Sequence, residues 1–149
     1  MWISNIQLDG FRNYKELSLD LSQGLVFIHG NNGQGKSNLL EAIHLLSIFK
    51  SLRASREVEL INLDMPRTNN ASYALISADA NRDNTLINIK LMIENHPSEL
   101  VPNENKTLVK KKIRVNGTPK RASEVLGLIP SILVSPDDIQ LINGSPSLR

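Results

Sequence analysis

Residues 30–37 read Gly30-Asn31-Asn32-Gly33-Gln34-Gly35-Lys36-Ser37, which meets the pattern G-x-x-x-x-G-K-S/T at every fixed position. Ordinary residue frequencies would produce that match in a chain of this size about once in two hundred. Each residue type has a physical task. Gly30, Gly33 and Gly35 admit backbone dihedrals closed to other residues, so successive N–H groups can turn inward around phosphate oxygens. The start of the following helix adds N–H groups without helical partners and the positive end of a dipole. Lys36 brings an ammonium to the β- and γ-phosphates and is the expected catalytic residue, while the Ser37 hydroxyl suits a Mg2+ ligand. A Gly- and Asn-rich turn that binds nothing would account for the glycines but for neither the lysine nor the serine. ATP with Mg2+ is the expected ligand.

Hydrolysis asks for more than a cradle: a second metal-binding carboxylate at the end of another strand, and a group that orients water. Asp137 and Asp138 follow the apolar triplet Ile132-Leu133-Val134, but Pro136 intervenes, so they fit a loop or helix start better than a strand-end pair. The catalytic set therefore reads as incomplete in this chain. His29, His44 and His96 lack metal-ligand spacing, and His29 reads as structural. Lys110, Lys112 and Arg114 share one face of an alternating segment, with Lys111, Lys120 and Arg121 nearby. A solvated hairpin face explains them better than a nucleic-acid backbone contact. One Trp, two Tyr and three Phe are too few for a base-stacking platform.

The loop must be held by the elements on either side of it. Residues 25–28, Leu-Val-Phe-Ile, are a continuous apolar run suited to a strand buried on both faces. After the loop, Leu39, Leu40, Ile43 and Leu46 recur at helical spacing, which predicts a helix over residues 36–49. Ahead of it, residues 3–8 and 17–21 alternate as strands around a turn at Gly10-Phe11-Arg12-Asn13-Tyr14. Ser55 as a cap before Glu57 and Glu59 predicts a second, shorter helix. Residues 73–78, 86–93 and 108–115 then alternate as three antiparallel strands, and Asn116-Gly117 marks a turn. Residues 122–128 read as a short helix, 132–134 as a buried strand, and Pro136-Asp137-Asp138 as the start of another helix.

Bulk properties narrow the class further. A chain of 149 residues is long enough for one domain with a real core, and 40% apolar against 21% charged residues is a globular balance, not a disordered one. A formal net charge of +2 permits a polyanionic partner without demanding one. The absence of cysteine excludes disulfides and thiolate zinc sites and makes a reducing compartment the default. The opening Met1-Trp2-Ile3-Ser4-Asn5 has no secretory pattern, and no stretch approaches the roughly 18 apolar residues of a membrane span. A cytoplasmic protein without a membrane partner is expected.

Four stretches, taken in order, resemble the RecF family within the wider ABC and SMC-type ATPases. They are Leu8-Asp9-Gly10-Phe11-Arg12-Asn13-Tyr14; the phosphate loop running into Ser37-Asn38-Leu39-Leu40-Glu41-Ala42-Ile43; Ser51-Leu52-Arg53; and Val134-Ser135-Pro136-Asp137-Asp138-Ile139 through Gly144-Ser145-Pro146. The resemblance implies an α/β fold, an ABC-ATPase-like lobe I with the phosphate loop and helix on a mixed sheet and an antiparallel sheet adjoining. It implies that residues 1–149 are this lobe alone, truncated before the second lobe with its signature loop, Walker B carboxylates and switch histidine. Arg12 and Asn13 would lie beside the nucleotide, Asn38 and Arg53 would join Gly30 to Ser37 in contacting it, and Asp137 or Asp138 would reach the metal through water. For Arg53 a solvated arginine, and for the aspartates a helix cap, stay open as alternatives. The function implied is the ATP-binding part of a recombinational repair and replication ATPase that acts in the SOS response. Its heads would dimerise on double-stranded DNA at gaps or junctions, with RecO and RecR as partners and slow DNA-dependent turnover in the full-length protein. The alternatives are a small P-loop kinase or GTPase, and a nucleotide-dependent interaction module without turnover.

Overall fold

The structure is a computed structural model that describes residues 1–62, 64, 72–97 and 107–135. Its strands are β1 (Trp2–Phe11), β2 (Tyr14–Asp20), β3 (Ser72–Arg82), β4 (Thr85–Pro97), β5 (Thr107–Val115) and β6 (Thr118–Lys120). They form one six-stranded sheet in the order β2-β1-β3-β4-β5-β6, antiparallel at each pairing. Helix α1 (Lys36–Ile48), a 3-10 turn (Glu57–Leu60) and the short helix α2 (Ala122–Val125) accompany it.

Alternation along the strands decides which face is covered. Ile6 and Leu8 of β1, Ala74, Ile76, Ala78 and Ala80 of β3, and Ile89, Leu91 and Ile93 of β4 point to one side. There they meet Leu39, Ala42, Leu45 and Leu46 of α1 in a single core. A leucine or isoleucine fully buried in this way contributes roughly 1.5–3 kcal/mol. Two tight turns keep the long hairpins in register. Asp83 and Asn84 (φ 48 and 62) join β3 to β4, and Asn116 and Gly117 (φ 49 and 79) join β5 to β6, each pair left-handed as a two-residue hairpin turn requires. The far end of α1 is tied down as well. Lys111 donates to the Phe49 carbonyl at 2.7 Å and pairs with the Glu57 carboxylate, setting a cation at the negative end of the helix dipole.

Two expected strands are absent. Residues 25–28 and 132–134 form no strand and pair with no described strand. Leu25, Phe27 and Ile132 are instead 96, 82 and 95% exposed. An apolar run buries both faces only when strands flank it, and among the described residues none does. The mixed sheet expected beneath the phosphate loop accordingly has no parallel pairing among the described residues. The second helix is a single 3-10 turn that does not start at Ser55, because Glu59 folds back to accept from the Ser55 and Arg56 N–H groups at 3.2 Å. The all-antiparallel order also removes the alternating strand and helix arrangement that a small P-loop kinase or GTPase needs.

Exposed apolar side chains of this kind favour association. The chain is expected to self-associate at micromolar concentration, and Phe27→Ser with Ile132→Ser should raise the monomer fraction. Size-exclusion chromatography with light scattering tests it; a monomer before substitution would contradict the expectation.

Candidate nucleotide-binding site

The phosphate loop feeds directly into α1, whose N-terminal cap residue is Gly35 at φ 104. Only glycine adopts that dihedral without strain, and space is closed as well. A β-carbon at Gly35 would lie 2.7 Å from Asn13 Nδ2 and 2.9 Å from the Tyr14 hydroxyl. The β1–β2 turn is thereby packed against the loop. No side chain caps the helix; the Asn38 and Leu39 N–H groups donate to the Gly35 carbonyl at 2.8 and 2.9 Å. The open helix end and its dipole are left to attract anions.

Lys36 arches back over the loop and donates to the Gly30 and Asn31 carbonyls, each at 2.7 Å. Lys36 also lines a cavity of about 280 Å3, together with Asn32, Gly33, Gly35, Ser37, Asn38 and Arg53. A β-carbon at Gly30 would strike the Gln34 side-chain oxygen, so glycine there leaves room for Gln34. Beside this cavity lies a wider one of about 580 Å3, which shares Asn38 and Arg53 and adds Arg12, Asn13, Lys15, Glu59, Ile61, Asn62 and Asp64. Burial pushes the Tyr14 hydroxyl above its ordinary value, so it stays neutral beside the loop.

Behind the loop sits a charged cluster built on Glu41, which is 3% exposed. Arg12 approaches it as a fork, Nε donating to Oε2 at 3.0 Å and Nη2 to Oε1 at 2.8 Å. The Ser51 hydroxyl donates to Oε1 at 2.6 Å, and Arg53 Nη1 stands 3.6 Å from Oε2. Arg12 holds a left-handed backbone (φ 53), stitched by its N–H to the Leu60 carbonyl at 2.9 Å and by Nη1 to the Glu59 carbonyl at 3.1 Å. Asn38 links the groups, donating to Asn13 Oδ1 at 2.8 Å and accepting from Arg53 at 3.2 Å.

Burial would raise the Glu41 carboxyl, but hydrogen bonds from Arg12 and Ser51 and the charges of Arg12 and Arg53 outweigh it and hold the group below its usual range. The folded chain thus binds that proton more weakly than the unfolded chain. The stability this supplies is complete above the ordinary carboxyl value of 4.5 and is lost as the pH falls through the lower folded value. Urea unfolding repeated from about pH 6 to about pH 3 is expected to show that loss, and a shallower one in Glu41→Gln. Equal slopes in both chains would count against it.

The structure sets Gly30, Asn31, Asn32, Gly33, Gln34 and Gly35 in one loop that runs into Lys36, Ser37 and Asn38 in the first turn of α1, and it brings Arg12, Asn13 and Arg53 close by. Asp137 and Asp138 lie outside the described residues. Among the described residues no three His, Asp or Glu side chains converge as a metal site. Sequence reasoning missed Glu41 and Ser51 as the tie between the arginines. The signal available was an acidic residue on α1 spaced four residues from both Ser37 and Leu45, hence in line with a fully buried leucine.

Comparison with known proteins gives the same picture. The model of the RecF/RecN/SMC N-terminal domain matches residues 2–139. The DNA replication and repair protein RecF of Clostridium beijerinckii is 32% identical over 150 residues, covering 100% of this chain and 36% of that protein. RecF of Lachnoclostridium phytofermentans is 33% identical, with 100% and 37% covered. The chain therefore spans little more than a third of the length of these relatives. A solved structure described as the recombination mediator protein RecF with ATP in the RecFOR pathway superposes with a TM-score of 0.70 at 34% identity, covering 98% of this chain and 35% of that one. The α/β, ABC-ATPase-like lobe expected from the sequence is the fold shared with these proteins. This chain belongs to the RecF/RecN/SMC N-terminal domain family.

Proposed function

We propose that this chain is lobe I of an ABC-type head and binds ATP with Mg2+ for a RecF-type DNA repair and replication protein. The observation that carries the reading is the loop: glycines at left-handed dihedrals, one lysine, one serine and an uncapped helix end around a cavity of about 280 Å3. These residues fit a magnesium triphosphate. Backbone N–H groups and Lys36 meet the phosphates, Ser37 ligates the metal, and Arg53 adds a second cation; the base and ribose extend into the wider cavity beside Arg12 and Asn13. When bound, Mg2+ offsets charge on the phosphate oxygens.

The relatives' names speak of DNA replication and repair, and the solved relative's description gives it with ATP in the RecFOR pathway. In the protein to which this lobe belongs, two heads would close on ATP while holding double-stranded DNA at gaps or junctions, with RecO and RecR as partners, in the cytoplasm. Turnover would need carboxylates at a strand end, so the lobe alone is a nucleotide-binding unit. Titration of the chain with a fluorescent ATP analogue is the test. Saturable binding that strengthens with Mg2+ supports the reading, and no saturation up to millimolar analogue overturns it.

A further inference from the structure

We propose that Glu41 is a positioning residue for the phosphates: its buried carboxylate locks Arg12 in place and keeps Arg53 on a loose bond that a polyphosphate takes over. The inference rests on the nucleotide-binding reading above and adds a partition of labour between two arginines that share one anion.

The division is visible in the distances. Arg12 is 19% exposed and is held at Nε, Nη1 and Nη2, two of those bonds forming a fork on Glu41. Arg53 is 50% exposed and reaches the same carboxylate only at 3.6 Å, beyond hydrogen-bond length. Its one side-chain hydrogen bond in the cluster, to Asn38 at 3.2 Å, is made to a neutral oxygen, and its guanidinium lines the cavity of Lys36 and Ser37. A phosphate there offers Arg53 a charged partner at full contact, while Glu41 keeps Arg12 and so is not left as an uncompensated buried charge.

Ser51 couples the two halves. Its hydroxyl donates to Glu41 and accepts from the Arg53 and Ala54 N–H groups at 3.0 and 2.8 Å. The carboxylate thus sets the turn from which Arg53 projects, as well as the resting place of its guanidinium. Glu41 itself stands one helical turn beyond Ser37, so the hub and the cradle ride on the same rigid element.

Charge and position predict opposite signs, which makes the test decisive. A carboxylate acting only as a negative charge repels a triphosphate, and its removal would tighten binding. A positioning carboxylate loosens binding when removed. Affinity for a fluorescent ATP analogue with Mg2+ would be measured on the chain and on its Lys36→Ala, Glu41→Gln, Arg53→Ala and Glu41→Gln/Arg53→Ala variants, each checked for folding by circular dichroism. About tenfold weaker binding is expected for each of Glu41→Gln and Arg53→Ala, with the double variant no more than about twentyfold weaker, because both disturb one arginine. Unchanged or tighter binding in Glu41→Gln, or additive losses near a hundredfold, overturns the proposal. Wild-type affinity in Lys36→Ala would instead remove the nucleotide reading beneath it. Should Glu41→Gln not fold, Glu41→Asp replaces it. The shorter arm keeps the charge but cannot serve both arginines, and affinity equal to wild type there overturns the proposal equally.

Discussion

Lys36→Ala is expected to weaken binding of a magnesium ATP analogue by about ten- to a hundredfold while leaving the fold intact. The side chain makes its two hydrogen bonds to carbonyls of its own loop, Gly30 and Asn31, and contributes nothing to the core, so its loss has little to destabilise. What disappears is a charge-assisted contact to phosphate oxygens at a site already supplied with dipoles, where such a contact carries about 1.5–3 kcal/mol. Titrations on both chains, paired with thermal melts, check the result. A Lys36→Ala chain that melts with wild type and binds as tightly would sink the phosphate assignment.

A second large effect is expected in stability. Arg12→Ala should lower the unfolding free energy by about 3 kcal/mol, since it strips the two-pronged partner from a carboxylate that is almost wholly buried. Arg53→Ala, which takes a half-exposed arginine 3.6 Å away from the same carboxylate, should cost under about 1 kcal/mol. Urea denaturation of the two variants side by side measures the contrast. Equal losses would mean that burial is not what separates the two ion pairs. The Ser51 hydroxyl and Arg53 stay beside the carboxylate when Arg12 is lost, which puts the figure at the lower end for a buried pair.

Local patterns made much of this legible in the sequence. The loop, the start of α1 and the alternating strands depend on neighbours a few residues apart, and glycine placement and periodicity report such relations directly. Strand lengths were under-read at Asp83-Asn84, because the left-handed turn these two residues make carries no glycine to mark it, and β3 and β4 run on to meet at the turn. The Leu-Val-Phe-Ile run at 25–28 misled for a different reason: hydrophobicity reports that a segment seeks burial, not that strands are present to bury it. Glu41 escaped because its partners, Arg12 and Ser51, come from distant segments that meet only once the β1–β2 turn docks on α1.

That unpaired run has an effect on the loop beside it. Helix α1 anchors the cradle firmly downstream, while upstream the chain arrives along a segment that pairs with no strand among the described residues and meets the core only through Ile28. A receptor braced on one flank spends part of its ligand's interaction energy on stiffening the other, so the intrinsic grip of the amides exceeds the apparent affinity. Whatever secures residues 25–28 from outside will sharpen nucleotide binding without touching the nucleotide.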